Sequence, residues 1–218
     1  LLMYMLIFTI VGARLGHCLF YEPSYYFSNP IKFLYVWEGG LASHGGAIGI
    51  LIGLYFYSKK INKPYLWILD RIVVPVAIGG AFIRTGNLMN SEIYGQPTDL
   101  PWGFKFVRDY PIGTPIDNIP ACHPTQIYEA LFCVEVFVYL LYAYYKQNMA
   151  ERRPGFMFGI FLIVIFGSRI LIEFIKNHQV AFEDNMVLDM GQWLSIPFFV
   201  AGIYFVARSF FKTENLRN

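Results

Sequence analysis

From Arg84 to Gly95 the chain reads Arg-Thr-Gly-Asn-Leu-Met-Asn-Ser-Glu-Ile-Tyr-Gly, directly after an apolar run from Ile72 to Ile83. A guanidinium beside hydrocarbon costs roughly 2.5–3.5 kcal/mol on insertion scales, so it needs a partner or a purpose. Two readings are open. Arg84 snorkels to lipid headgroups from a helix end, or it grips an anion through its planar fork, charged at any working pH. Asn87 and Asn90 then either stabilise a turn through their own side chains or hydrogen-bond the same ligand. Glu92 either pairs with an arginine or touches that ligand. Gly86 and Gly95 give the backbone freedom to turn sharply or to come close to another group.

Other polar residues stand at the ends of apolar runs. They are Arg14, His44, Gln126, Tyr128, Glu129, Arg169, Glu173, Asp189 and Gln192. His44 precedes Gly45-Gly46, which removes bulk beside it. It is either an interfacial helix cap or a proton carrier near neutral pH. Arg169 and Glu173 have the i,i+4 spacing of an ion pair on one helix face, and Arg169 is also a candidate second anion contact. Arg14 reads as a brace within the helix bundle or as a further ligand contact. Tyr128 and Glu129 shape an entrance or simply pack. Asp70-Arg71, at the other end of its run, reads as an interfacial anchor. Cys18, Cys122 and Cys133 have neither metal-ligand spacing nor an even-numbered disulfide framework, and read as small buried apolar residues.

The elements that position these groups are membrane spans. Hydrophobic residues make up 56% of the 218 and charged residues only 15%, with a mean hydropathy of +0.44. A soluble domain carries nearer ~25% charged residues. A formal net charge of +2 is too small to point to nucleic acid. A spanning helix needs about 20 mostly apolar residues. That length places spans at 1–20, 41–57, 66–83, 126–145, 155–174 and 190–210. The expected fold is an all-α polytopic membrane protein with six spans in one domain over 1–218. Residues 87–124, with six prolines, form an insert too polar for lipid, and long connections of this kind are usually functional.

Orientation follows from the loops. Lys59, Lys60, Lys63, Lys146, Arg152, Arg153, Arg208, Lys212 and Arg217 fall on one side, against Lys32, Lys105, Arg108 and Lys176 on the other. The nine-to-four bias puts the first side and the C-terminus in the cytoplasm and the 87–124 insert outside. Arg14, His44, Arg84, Glu129 and Arg169 then lie at similar depth in the outer half of the membrane. The natural anion there is a phospholipid. A secondary transporter would show paired repeats with a site near the midplane, and the sequence contains no repeat. A non-catalytic lipid-binding scaffold would account for the arginines but not for the histidine and asparagines.

The stretch Arg84–Gly95 resembles the hallmark motif of the bacterial prolipoprotein diacylglyceryl transferases, roughly Gly-Arg-x-Gly-Asn-Phe-x-Asn-x-Glu-x-x-Gly. Five further blocks follow the family's order: Gly12-Ala-Arg14-Leu-Gly16, Trp37-Glu-Gly-Gly-Leu-Ala-Ser-His44-Gly-Gly, His123-Pro-Thr-Gln-Ile-Tyr-Glu129, Arg169-Ile-Leu-Ile-Glu173-Phe and Met190-Gly-Gln-Trp-Leu-Ser-Ile-Pro197. Ile83 stands where the family has Gly, and Leu88 where it usually has Phe. The resemblance implies seven spans in a full-length protein, so the chain, which begins at Leu1 inside an apolar run, is expected to lack a first span that carries an important Tyr.

The resemblance also implies a reaction in the bacterial cytoplasmic membrane, with the active site toward the outer leaflet. The diacylglyceryl group of phosphatidylglycerol passes to the lipobox cysteine of a preprolipoprotein signal peptide, without a cofactor or metal. It implies catalytic roles for His44, Arg84 and Arg169, and substrate contacts from Arg84, Asn87, Asn90, Glu92, Gly95, Arg14, Tyr128 and Glu129.

Overall fold

The computed structural model describes residues 1–20, 23–176 and 188–214. Eight α-helices carry nearly all of the described architecture: α1 (Leu2–Phe20), α2 (Pro23–Ser28), α3 (Ser43–Lys60), α4 (Tyr65–Asn90), α5 (Thr125–Tyr145), α6 (Met149–Arg152), α7 (Phe156–Glu173) and α8 (Met190–Glu214). Between α4 and α5 two short strands, β1 (Phe104–Lys105) and β2 (Ala121–Cys122), pair antiparallel. Among the described residues, five helices are long and apolar enough to cross a membrane: α1, α4, α5, α7 and Gly191–Phe211 of α8. The expected span at 41–57 is a helix, α3, but is not one of these five. Four glycines, His44 and the terminal Lys59-Lys60 dilute its apolar stretch.

The chain divides into two compact units, Leu1–Leu69 and Asp70–Asn218. In the first unit α1 and α3 cross at backbone contact. A Cβ at Gly49 would stand 2.0 Å from the Phe8 carbonyl oxygen, and one at Gly12 would stand 2.4 Å from that of Gly45. Lipid gives helices no hydrophobic reason to associate, so small residues that admit close packing do that work. The segment from α2 to α3 returns to α1, where the Ala42 amide donates to the Ala13 carbonyl at 2.9 Å.

In the second unit the core is built from Val73 and Ala77 of α4, Val136, Leu140 and Ala143 of α5, and Ala150, Phe156 and Met157 around the start of α7. Helices α7 and α8 meet at Gly159 and Gly202, where a Cβ at the first would lie 2.8 Å from the carbonyl oxygen of the second. Outward-facing Phe82, Leu131 and Leu171 are more than 60% exposed, as residues meeting lipid must be.

Two expectations change here. Asp70 is not an interfacial anchor but is fully buried. Its carboxylate accepts the Gly155 amide at 2.6 Å and the Phe158 amide at 2.8 Å. The first amides of a helix have no partner within it, and Gly155, the N-cap of α7, has no side chain to supply one. Asp70 provides the cap from α4, with its charge at the favoured end of the helix dipole. Arg71 pairs instead with Glu151. The span expected to end at Ile83 runs on to Asn90, so Arg84, Asn87 and Asn90 sit on the last two turns of α4.

Candidate active site

The end of the second unit that holds the tip of α4, the start of α5 and the end of α7 gathers most of the residues singled out above. Arg84 brings Nε to 2.7 Å from Glu129 Oε2. That oxygen has no well-aligned hydrogen bond, so the contact is chiefly an ion pair. Arg84 Nη1 donates to Asn87 Oδ1 at 3.4 Å, and Asn87 Nδ2 donates to Glu92 Oε2 at 3.2 Å. The other Glu129 oxygen, Oε1, accepts from Lys176 Nζ at 2.7 Å, and the same ammonium lies 3.4 Å from Glu173 Oε2. Lys176 is 4% exposed. In the sequence it stands only as a loop charge.

Glu173 therefore pairs with Lys176, not with Arg169 as the i,i+4 spacing allowed. Arg169 Nε is buried without a hydrogen-bond partner among the described residues. Gly191 packs on the Glu173 carboxylate so closely that a Cβ there would come within 2.3 Å of Oε1. Arg84, Glu129, Cys133, Ser168 and Arg169 line a cavity of about 260 Å³ whose other walls are Gly80, Ile83, Ile165 and Phe166. On its other flank Arg84 lines a smaller cavity of about 140 Å³ with Leu88, Gln126, Ala130, Leu131 and Val134. Charged groups at the rim of apolar walls suit an amphiphile with an anionic head. Among the charged residues that line the larger cavity, Arg84 and Arg169 set against Glu129 leave one positive charge in excess.

The backbone after α4 is shaped to close this arrangement. Gly86 lies inside the helix with open space around it and makes no turn. The left-handed conformation falls instead on Ser91 (φ 59°) and Ile93 (φ 57°). For a β-branched residue such as Ile93 this is strained and must be held by its surroundings. Gln126 Nε2 donates to the Glu92 carbonyl at 2.6 Å and Thr125 Oγ1 to that of Ile93 at 3.0 Å. Gly95 donates to the His123 carbonyl at 2.9 Å and bridges to Lys176. A Cβ at Gly95 would lie 2.5 Å from the Ile175 oxygen, 2.7 Å from the His123 Cβ and 2.8 Å from Thr125 Cγ2. Gly95 is therefore required by close approach.

Tyr128 accepts a hydrogen bond from Trp102 Nε1 at 2.8 Å and lies 3.4 Å from His123 Nδ1, which fastens the insert to α5. In the insert Tyr94 donates to Asp109 and stacks on Phe106. Burial, then the Asp109 hydrogen bond, raises the Tyr94 pKa above its ordinary value. Burial likewise pushes the Cys122 thiol up, away from reactivity. Asn90 ends α4 and is exposed.

In the first unit Arg14 is 3% exposed. Its guanidinium donates to the carbonyls of Lys32 at 2.6 Å, Phe33 at 3.3 Å, Gly40 at 3.4 Å and, most closely, Gly39. It also lies 5.0 Å from the Tyr26 ring centroid. His44 is the second residue of α3; its side chain lies outside what the structure describes.

A family model described as prolipoprotein diacylglyceryl transferase matches residues 1–208. The chain is 51% identical over 215 residues to a protein of Porphyromonas gingivalis named phosphatidylglycerol–prolipoprotein diacylglyceryl transferase, covering 96% of this chain and 76% of that one. It is 46% identical to a protein of the same name from Tolumonas auensis, covering 93% and 75%. A third so named, from Ruegeria pomeroyi, is 36% identical, covering 96% and 75%. With the match running through every helix that carries the ion cluster and its cavity, the chain belongs to the prolipoprotein diacylglyceryl transferase family.

Proposed function

We propose that this protein transfers the diacylglyceryl group of phosphatidylglycerol to the lipobox cysteine thiol of preprolipoproteins, the first step of lipoprotein maturation. The cysteine sulfur attacks the glycerol carbon that bears the phosphate ester. A carbon–sulfur bond forms, the carbon–oxygen bond breaks, and glycerol phosphate departs with the bonding electrons. The thiol proton leaves to a base. A free thiol has a pKa of about 8.5, so a base or a positive field raises the thiolate fraction. As the ester breaks, negative charge grows on the leaving phosphate, and fixed guanidinium donors in a water-poor site stabilise it. Holding lipid and signal peptide in one membrane supplies proximity.

The observation that carries this reading is the cavity shared by Arg84 and Arg169. It has apolar walls, one positive charge in excess, and an Arg169 Nε with no described partner. Arg84 and Arg169 hold the phosphate, Asn87 sets the Arg84 fork, and Glu92 orients Asn87. Gly95 closes the turn, while Tyr128 and Asn90 flank the headgroup. His44 is the candidate base. We place six spans in this chain, α3 included, in the bacterial cytoplasmic membrane, with the C-terminus inside and the 91–124 connection outside.

The test is direct. The full-length enzyme in phosphatidylglycerol vesicles, given a lipobox peptide, should add a diacylglyceryl mass to that peptide and release glycerol phosphate. A peptide that stays unchanged while lipid is bound or moved would overturn the assignment in favour of binding or transport. In the same assay His44→Gln should slow transfer at neutral pH, within the range of roughly 10²–10⁴ set by loss of a general base. An unchanged rate removes His44 from that role.

A further inference from the structure

Lys176 is a buried cation that the reaction, as written above, does not use. Burying an ammonium costs several kcal/mol unless it is paired and hydrogen-bonded. Here it is placed between two carboxylates, 2.7 Å from Glu129 Oε1 and 3.4 Å from Glu173 Oε2. Its backbone is fixed as well. Lys176 bridges to Gly95, its carbonyl accepts Gln96 Nε2 at 3.3 Å, and the preceding Ile175 carbonyl accepts the Gln96 amide at 2.9 Å. The ammonium is thus held at one edge of Glu129 by the same close approach that demands a glycine at position 95.

We infer that Lys176 is a positioning residue that keeps Arg84 available for the lipid phosphate. Glu129 is shared between two cations, one on each oxygen, and Arg84 is met through Nε alone. A carboxylate left with a single arginine prefers to close both oxygens on the guanidinium in a two-point fork. That fork would occupy the edge of Arg84 that must reach the phosphate. By taking Oε1, Lys176 stops Glu129 from competing with substrate. Lys176 does not itself touch the lipid in this scheme, since it is 4% exposed and its ammonium is committed to the two carboxylates.

The inference rests on the transferase reading, so wild-type full-length enzyme is assayed alongside in phosphatidylglycerol vesicles; failure of the wild type to modify the lipobox peptide refutes that reading and not the role of Lys176. With an active wild type, Lys176→Met should raise KM for phosphatidylglycerol by about tenfold or more, the scale of one charge-assisted hydrogen bond. KM for the peptide should stay unchanged. Lys176→Arg should return KM to within about twofold, because it keeps a cation at Glu129 Oε1. Pairing Lys176→Met with Glu129→Gln should lower KM again, because a neutral amide has no charge with which to hold Arg84. A Lys176→Met enzyme with normal KM for the lipid, or a double variant no better than the single one, overturns the inference. If Lys176→Met does not accumulate in membranes, the double variant is compared with Glu129→Gln alone: equal KM for the lipid supports the inference, and a clearly higher KM in the double variant overturns it.

Discussion

Arg14 and Arg84 are both guanidinium groups on apolar helices, yet their surroundings differ in kind. Arg14, in the first unit, donates to four backbone carbonyls and lies beside an aromatic ring. Arg84, in the second, is met at Nε by a carboxylate and at Nη1 by an amide oxygen, and faces two cavities. Neutral carbonyls satisfy a guanidinium's hydrogens and leave its charge to fix a loop. A shared carboxylate leaves both hydrogens and charge for something else. On the proposed function, the chemistry of the acceptors marks Arg14 as a brace and Arg84 as a phosphate contact, where burial alone does not distinguish the two.

The largest expected effect tests the functional side. In the full-length protein Arg84→Lys should lower transfer by about a hundredfold or more, the scale of losing a preorganised donor at a developing anion. The protein should still accumulate in membranes. Lysine keeps the charge and loses the fork, so normal turnover of phosphatidylglycerol by this variant would remove the two-point phosphate role. On the structural side, Gly49→Val puts a branched side chain where even a Cβ meets the Phe8 carbonyl at 2.0 Å. Separating α1 from α3 should cost on the order of 1–3 kcal/mol or more, read as a fall in the thermal midpoint in detergent.

Arg14→Met should destabilise by about 1–3 kcal/mol, through carbonyls left unpaired, while KM for phosphatidylglycerol holds. A raised KM with unchanged stability would make Arg14 a ligand contact and erase the contrast with Arg84. A further effect is expected from Asp70→Asn, which keeps one acceptor of the cap but leaves the other buried amide unpaired, and should lower stability by about 1–2 kcal/mol. Unchanged stability would mean that the two amide contacts of Asp70 do not hold the first turn of α7.

Which parts of this were readable in the sequence follows from how local each property is. Length and apolarity are properties of a single stretch, so α1, α4, α5, α7 and α8 could be located from residue order. The end of α4 could not. Gly86 and the polar residues after it look like punctuation, but the helix continues to Asn90 and the strained positions are Ser91 and Ile93. Arg84, Glu129 and Glu173 stood out as charges in apolar runs. The pairing of Arg84 with Glu129, and of Glu173 with Lys176, depends on how helices meet, and no spacing rule reaches across separate elements. Lys176 was hidden for the same reason: only tertiary contact turns a loop charge into a buried one. Gly95 was legible as a backbone demand, but the Ile175 carbonyl that creates the demand was not.

The capping of α7 by Asp70 has a mechanical side. Helix α4 grips the first turn of α7 at one end and presents Arg84 near its other end, about 21 Å away at the usual helical rise. The two helices are pinned against axial sliding at a point remote from the cavity, so the reach between the Arg84 and Arg169 guanidiniums is gauged from the far end of the bundle. With Arg84 and Arg169 holding the phosphate as proposed, a substitution near Asp70 retunes the spacing of those two arginines without altering a single residue that lines their cavity.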